Sequence, residues 1–278
     1  MMLPRLGLCQ TPVVDGDVSA NVAIMAECLA EAEPAELYMF PELNLSGQVG
    51  ARGRDEGQRI FHIAETIPGP LTEQVSDLAL KRHAWLLVGL IEAHSKIPGI
   101  VFNTSVLFDD EGHLRLSQRK LHIPGQEKHY FTPGENVNVA DTPVGPVGVA
   151  ICYDPFFPET VRQLALKGAS MLLMPFNAPL ETNDRHALTH LTCTRAIENR
   201  CFAAAVNRVG TSSSGMTYFG GSVASDPFGR IQVMSPFDEP CVRYLEVDQE
   251  LTLRERGWLP TLRDRRPEIY TEITQSMQ

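Results

Sequence analysis

With 278 residues, 43% hydrophobic and 21% charged, the chain has an ordinary globular composition and room for one large domain or two small ones. A formal net charge of -10 leaves no basic face for phosphate neutralisation, which argues against nucleic acid and, more weakly, against anionic membranes as partners. No apolar run approaches the roughly 18 residues of a membrane span. The six cysteines show neither C-x-x-C pairs nor a disulfide framework, so a reducing cytoplasm is the expected compartment.

Residues 1–10, broken by Pro4 and followed by Asp15 and Asp17, do not read as a signal peptide. Cys9 reads as a small buried residue of a first strand. Asp17 is placed to cap a helix running to Glu33, with Val18, Val22, Met25, Leu29 and Ala32 along one face and Pro34 as its stop. Residues 37–40 read as a buried strand that runs through Pro41 into Glu42. A second helix is predicted over 71–82, then strands over 85–91 and 105–108. From Leu114 the residues alternate with period two, which puts Gln118 and Lys120 on the side of Leu114 and Leu116. Spacing alone favours Lys120 as a strand-end residue whose ammonium reaches water. The apolar strand 147–151 ends in Cys152, and Pro158 and Gly168 bound a third helix over 158–167. A strand over 171–174, a helix over 184–199 and a strand over 202–206 follow. Residues 218–224, 231–234 and 241–247 read as antiparallel strands joined by turns at 226–229 and 236–240. The expected organisation is one α/β domain over 1–278. Its tail, 258–278, carries the run Arg263-Asp264-Arg265-Arg266-Pro267-Glu268, too charged for a core, and is expected to pack on a partner subunit.

A thiol at the C-terminal end of a buried strand, beside a tight turn, sits where α/β folds place ligands and can serve as a nucleophile. Taken singly, Cys152 fits a buried core thiol and Glu42 a solvent-facing turn residue. Their joint occurrence with Lys120 supplies the sulfur, base and cation of nucleophilic catalysis.

Three segments then resemble one family: Phe40-Pro41-Glu42-Leu43, Arg119-Lys120-Leu121-His122-Ile123-Pro124, and Gly148-Val149-Ala150-Ile151-Cys152-Tyr153-Asp154. Further matches lie at 127–134, 195–199, 207–210 and 226–229, in the same order along the chain. Together they resemble the nitrilase superfamily, the carbon–nitrogen hydrolases. The resemblance implies a four-layer α-β-β-α sandwich with two mixed sheets. It implies a catalytic triad of Glu42, Lys120 and Cys152, supported by Glu127, and no metal or organic cofactor. It also implies a homodimer or higher assembly through the layer containing the helix after the cysteine. In such a site Glu42 takes the thiol proton, Lys120 and the backbone N–H of Tyr153 hold the oxyanion, and a thioester forms on Cys152. Lys120 is expected to pull the Cys152 pKa down.

Branches acting on carboxylate-bearing substrates often carry arginine in the turn after the cysteine, where this chain has Pro155, Phe156 and Phe157. Phe156, Phe157, Tyr130 and Phe131 are candidate apolar lining; His129, Asn177 and Tyr218 are candidate polar contacts. Phe157 can instead staple the following helix, and Phe131 can belong to the core. The expected substrate is a small neutral, apolar or cationic aliphatic amide. The alternative is an N-carbamoyl amine, because residues 126–131 and 263–270 resemble the carbamoylputrescine branch. A nitrile fits less well, since Tyr153-Asp154 stand where nitrilases usually carry tryptophan and glutamate. A catalytically idle binding subunit would be expected to lose a triad member, and all are present. His186 and His190 are four apart but lack the H-E-x-x-H glutamate of a zinc site, and no G-x-S-x-G, G-x-G-x-x-G or P-loop pattern occurs.

Overall fold

The computed structural model describes residues 2–49 and 53–275. In chain order it contains β1 (Arg5–Gln10), α1 (Val18–Glu31), β2 (Leu37–Met39), α2 (Arg54–Ile63), α3 (Pro70–Arg82), β3 (Trp85–Ala93), β4 (Val101–Phe108) and β5 (Leu114–Arg119). The second half contains β6 (Val139–Ala140), β7 (Val147–Val149), α4 (Pro158–Leu166), β8 (Met171–Phe176), α5 (Ala187–Asn199), β9 (Phe202–Asn207), β10 (Val209–Thr211), β11 (Thr217–Phe219), β12 (Val223–Ser225), β13 (Ile231–Met234), β14 (Cys241–Glu246) and α6 (Gln249–Trp258).

Two mixed sheets result, ordered β14-β1-β2-β3-β4-β5 and β13-β12-β9-β8-β7-β6, with β10 and β11 forming a separate ribbon. The central pairs are parallel in both: β1 with β2 and β2 with β3, then β7 with β8 and β8 with β9. Period-two alternation explains the layers. Leu6, Leu8, Leu37, Met39 and Leu87 of the first sheet meet Val147, Val149, Met171, Leu173 and Val206 of the second. The intervening residues face outward. Tyr38, Leu86 and Val88 pack against Met25 and Leu29 of α1 and Val75 and Ala79 of α3. Leu172, Met174, Ala203 and Ala205 pack against Val161 and Leu164 of α4 and Leu188 and Ala196 of α5. The four-layer α-β-β-α sandwich is therefore observed, and its strands read as continuous apolar runs because both faces are covered.

Local signals place the helices. The Asp17 carboxylate accepts from the Ala20 N–H at 2.9 Å and caps α1. Pro70 and Pro158 occupy the first turns of α3 and α4. α5 begins at Ala187 rather than at 184, because Asp184 turns its carboxylate to the His186 N–H at 2.8 Å. The predicted strand 218–224 is two strands. Gly220 and Gly221 both take φ +65, which ends β11 before β12 begins. Toward the end of the sequence Leu253, Trp258, Ile269 and Ile273 are exposed. Among the described residues no helix is long and apolar enough to cross a membrane.

Candidate active site

Lys120 follows directly after β5, with its N–H donating to the Asn103 carbonyl and its own carbonyl accepting from Gly134, both at 2.8 Å. The period-two pattern continues one residue past the strand and turns the side chain inward. There it is 0% exposed, which corrects the expectation that it reaches water. Its ammonium donates to Glu42 Oε1 at 2.7 Å and to Glu127 Oε2 at 2.9 Å. Burial by itself would push the Lys120 pKa down, but the charges of Glu127 and Glu42 outweigh it and hold the ammonium well above its ordinary range. Two carboxylates are what make a buried lysine tolerable.

Glu42 leaves the C-terminal end of β2 in a tight turn. Leu43 takes a left-handed φ of 48, the Leu45 N–H donates to the Gly89 carbonyl at 3.0 Å, and the Gly89 N–H donates to Asn44 Oδ1 at 2.8 Å. The turn lies so close on β3 that a β-carbon placed on Gly89 would sit 2.4 Å from the Leu43 nitrogen. Besides Lys120, Glu42 Oε1 accepts from Asn103 Nδ2 at 2.8 Å, and Oε2 accepts from the Asn177 N–H at 3.0 Å. Gly89→Ala is therefore expected to push the Glu42 turn away from β3. In the catalytic role that the resemblance implies for Glu42, kcat should fall by about 100-fold, the typical consequence of displacing a reacting group by about an ångström. Steady-state kinetics, with circular dichroism as a check on folding, measures this; an unchanged kcat would show that the close approach does not position Glu42.

Cys152 lies past β7, yet the pairing with the neighbouring segment continues: Ala150 N–H donates to Leu173 O at 3.0 Å and Cys152 N–H to Pro175 O at 2.9 Å. Cys152 itself takes a left-handed φ of 49, an uncommon state for a non-glycine residue and one found at functional turns. Asn177, whose N–H donates to Glu42, lines the same cavity as Cys152. Burial pushes the thiol pKa well up and the charge of Glu42 pushes it further. Lys120 pulls the other way, as expected from the sequence, but does not overturn them. The resting group is thus a neutral thiol. Glu127, buried in the 3-10 turn Gly125–His129, also has a raised pKa, through burial first, with Lys120 opposing and Glu42 adding to the rise.

A cavity of about 510 Å³ opens at Cys152, with Gln48, Glu127, Tyr153, Phe156, Asn177 and Met216 in its wall. No described acceptor takes the Tyr153 backbone N–H. Of the other candidate contacts, Phe156 and Asn177 line the cavity, whereas His129, Tyr130 and Tyr218 do not. His129 is exposed, and the Tyr130 hydroxyl is held by the Gly53 N–H at 2.9 Å. Tyr218 is buried beneath the Arg208 guanidinium, 4.2 Å from its ring centre, and burial raises its pKa. Phe157 stacks on the His122 ring at 3.7 Å, and Phe131 belongs to a small core with Leu43, Ile60 and Ile91.

Residues 5–254 match the family model described as carbon-nitrogen hydrolase. The chain belongs to that family. It is 34% identical over 275 residues to an (R)-stereoselective amidase of Pseudomonas sp., covering 98% of this chain and 94% of that one. It is 32% identical over 276 residues to a deaminated glutathione amidase of Yersinia enterocolitica, covering 90% and 91%. Among solved structures it resembles a carbon–nitrogen hydrolase of Helicobacter pylori, with a TM-score of 0.87, 26% identity, and 99% and 100% of the two chains covered.

Several segments that carry the family resemblance hold this cavity from behind. Arg195 Nε donates to the Pro155 carbonyl at 2.6 Å and so braces the turn after Cys152. Asn207 Oδ1 accepts from the Ala178 N–H at 2.9 Å, and its Nδ2 donates to Ala178 O at 3.2 Å and Gly220 O at 3.1 Å, which fixes the strand end carrying Asn177. Two site residues were missed in the sequence. Gln48 donates to Glu127 Oε1 at 3.3 Å and accepts from Asn177 Nδ2 at 3.0 Å, and nothing local marks it. Asn103 lies in the polar run Asn103-Thr104-Ser105 of β4, ahead of the part of that strand legible in the sequence.

Proposed function

We propose that this protein hydrolyses the carbon–nitrogen bond of a small aliphatic amide, with Cys152 as nucleophile, Glu42 as general base and acid, and Lys120 with the Tyr153 N–H as oxyanion donors. The observation that carries this reading is a convergence of distant segments: Lys120 joins Glu42 to Glu127, and Glu127, Cys152 and Asn177, whose N–H donates to Glu42 Oε2, line one cavity. Glu42 accepts the thiol proton as sulfur adds to the carbonyl carbon. The charge that develops on oxygen meets donors already in place, where removing one typically costs about 10²–10³ in rate. Glu42 returns the proton to the departing nitrogen, ammonia leaves, and a thioester remains on Cys152. Water, deprotonated by Glu42, then releases the carboxylic acid and regenerates the thiol. Glu127 fixes the ammonium from its far side. The names of the amidase relatives support an amide as substrate.

The cavity also bears on substrate class. Among the described residues that line it there is no arginine, lysine or histidine, and the one carboxylate is that of Glu127. A substrate carboxylate would find no counter-ion among these described residues, whereas apolar, neutral or cationic groups meet Phe156, Met216 and side-chain amides. A panel of an aliphatic amide, an amino-substituted amide, an N-carbamoyl amine and the monoamide of a dicarboxylic acid tests this by ammonia release. Aliphatic and amino-substituted amides are expected to exceed the acidic monoamide in kcat/KM by about tenfold or more, roughly one unsatisfied charge contact. A preference for the acidic monoamide would overturn the substrate reading. Preference for the carbamoyl amine would transfer the site to that alternative.

A further inference from the structure

We infer that Asp154 is a positioning residue for this site: its single carboxylate ties the segment carrying Lys120 to the segment carrying Cys152, and so sets kcat without touching substrate. The inference rests on the roles proposed above for those two residues. Asp154 is 1% exposed. Its Oδ1 accepts from the Leu121 N–H at 3.1 Å, the His122 N–H at 2.8 Å and His122 Nδ1 at 2.9 Å. Its Oδ2 accepts from the Ile151 N–H at 3.1 Å and lies 3.3 Å from the Leu121 nitrogen. Leu121 directly follows Lys120, and Ile151 directly precedes Cys152. The donors therefore flank the two reacting groups and come from different sheets, one beyond β5 and one beyond β7.

Apolar packing between the two sheets is non-directional and sets their spacing more than their register. Hydrogen bonds to a carboxylate are directional and charge-assisted. Asp154 supplies such bonds at the place where a slide of one sheet over the other would separate the Lys120 ammonium from the Cys152 sulfur. An ionised carboxylate only accepts, so His122 must carry its proton on Nδ1. Among the described residues the carboxylate's partners are N–H groups and not a lysine or arginine. Asparagine keeps the size of the side chain but turns one acceptor into a donor, which must face an N–H of Ile151 or of Leu121 and His122.

The test compares wild type, Asp154→Asn, Asp154→Glu and Cys152→Ala with an aliphatic amide, and follows alkylation of individual thiols by iodoacetamide with peptide mass spectrometry. Asp154→Asn is expected to lose about 100-fold in kcat with KM changed by less than about threefold, the pattern of a misplaced reacting group. Labelling of Cys152 should slow in parallel while labelling of Cys28, on α1, stays as in wild type. Asp154→Glu, which keeps an acceptor-only group, should recover at least about a tenth of wild-type kcat. Full kcat in Asp154→Asn, a loss confined to KM, faster Cys28 labelling, failure of Asp154→Asn to fold, or no recovery in Asp154→Glu would each overturn the positioning role in favour of a structural one or none. Turnover retained by Cys152→Ala would instead remove the proposed mechanism, while a dead Cys152→Ala beside a fully active Asp154→Asn would remove only this inference.

Discussion

Replacing Cys152 with alanine is expected to lower amide turnover by on the order of 10⁴-fold or more, the scale of losing a nucleophile in a site whose members act as a unit. Stability should change little, because the side chain borders an open cavity and the substitution strips one sulfur from its wall. Wild-type enzyme quenched during turnover should carry the acyl half of its substrate on Cys152, and the alanine variant should carry none. The buried thiol also makes a pH prediction. Its raised pKa keeps the proton on sulfur at neutral pH, so the thiolate appears only above the ordinary thiol range near 8.5. Labelling by a small disulfide reagent, which needs thiolate but offers no carbonyl for the site to activate, should therefore climb steadily into alkaline pH. Amide turnover should already be high near neutrality, because in the proposed mechanism Glu42 removes the proton only as the bond to carbon forms. Coincident pH profiles for labelling and turnover would show that a preformed thiolate does the work; undiminished turnover by Cys152→Ala would end the mechanism altogether.

How far the sequence could be read depended on how local each signal was. Strands β3, β7, β8 and β9 were legible because burial on both faces writes an unbroken apolar run. β4 was foreseen only from 105 because its first half holds Asn103 and Thr104, polar residues whose partners, Glu42 and Glu92, lie elsewhere in the chain. α2 and α6 went unseen for lack of an apolar stripe: α2 buries Ile60 alone and α6 Thr252 alone. In the site, period two put Lys120 on the inner side, but whether it stayed there depended on two carboxylates 78 and 7 residues away; Glu42 stood out at its strand end, while only the family resemblance supplied Glu127. The opposing pulls on the Cys152 thiol were each foreseeable in sign. Their sum was not, because desolvation depends on packing that no single segment encodes. Asp154 shows the same division. The sequence places it two residues past the cysteine, while its link to Leu121 and His122 belongs to the fold.

Lys120→Met should be the most destabilising of these changes, by on the order of 3–5 kcal/mol, because it leaves the buried Glu42 and Glu127 without their shared cation. Turnover should fall by at least about 10²–10³-fold with the loss of the proposed oxyanion donor. The sign of the pH effect separates this from a simple packing defect. In wild type the raised Lys120 pKa contributes stability that is fully present below the ordinary lysine value of 10.5 and is lost as pH rises through the higher folded value. Without the ammonium, Glu127 loses the one charge that lowers its pKa, so a value already raised must rise further. The folded variant then holds more protons than the unfolded chain above the usual carboxylate range, and its stability must increase as pH falls through that window. Urea midpoints compared between pH 5 and pH 8 should therefore show the deficit of Lys120→Met shrinking toward the acid side. A deficit that stays constant across that range would mean that methionine merely packs badly, and that Glu127 does not depend on Lys120 for its charge.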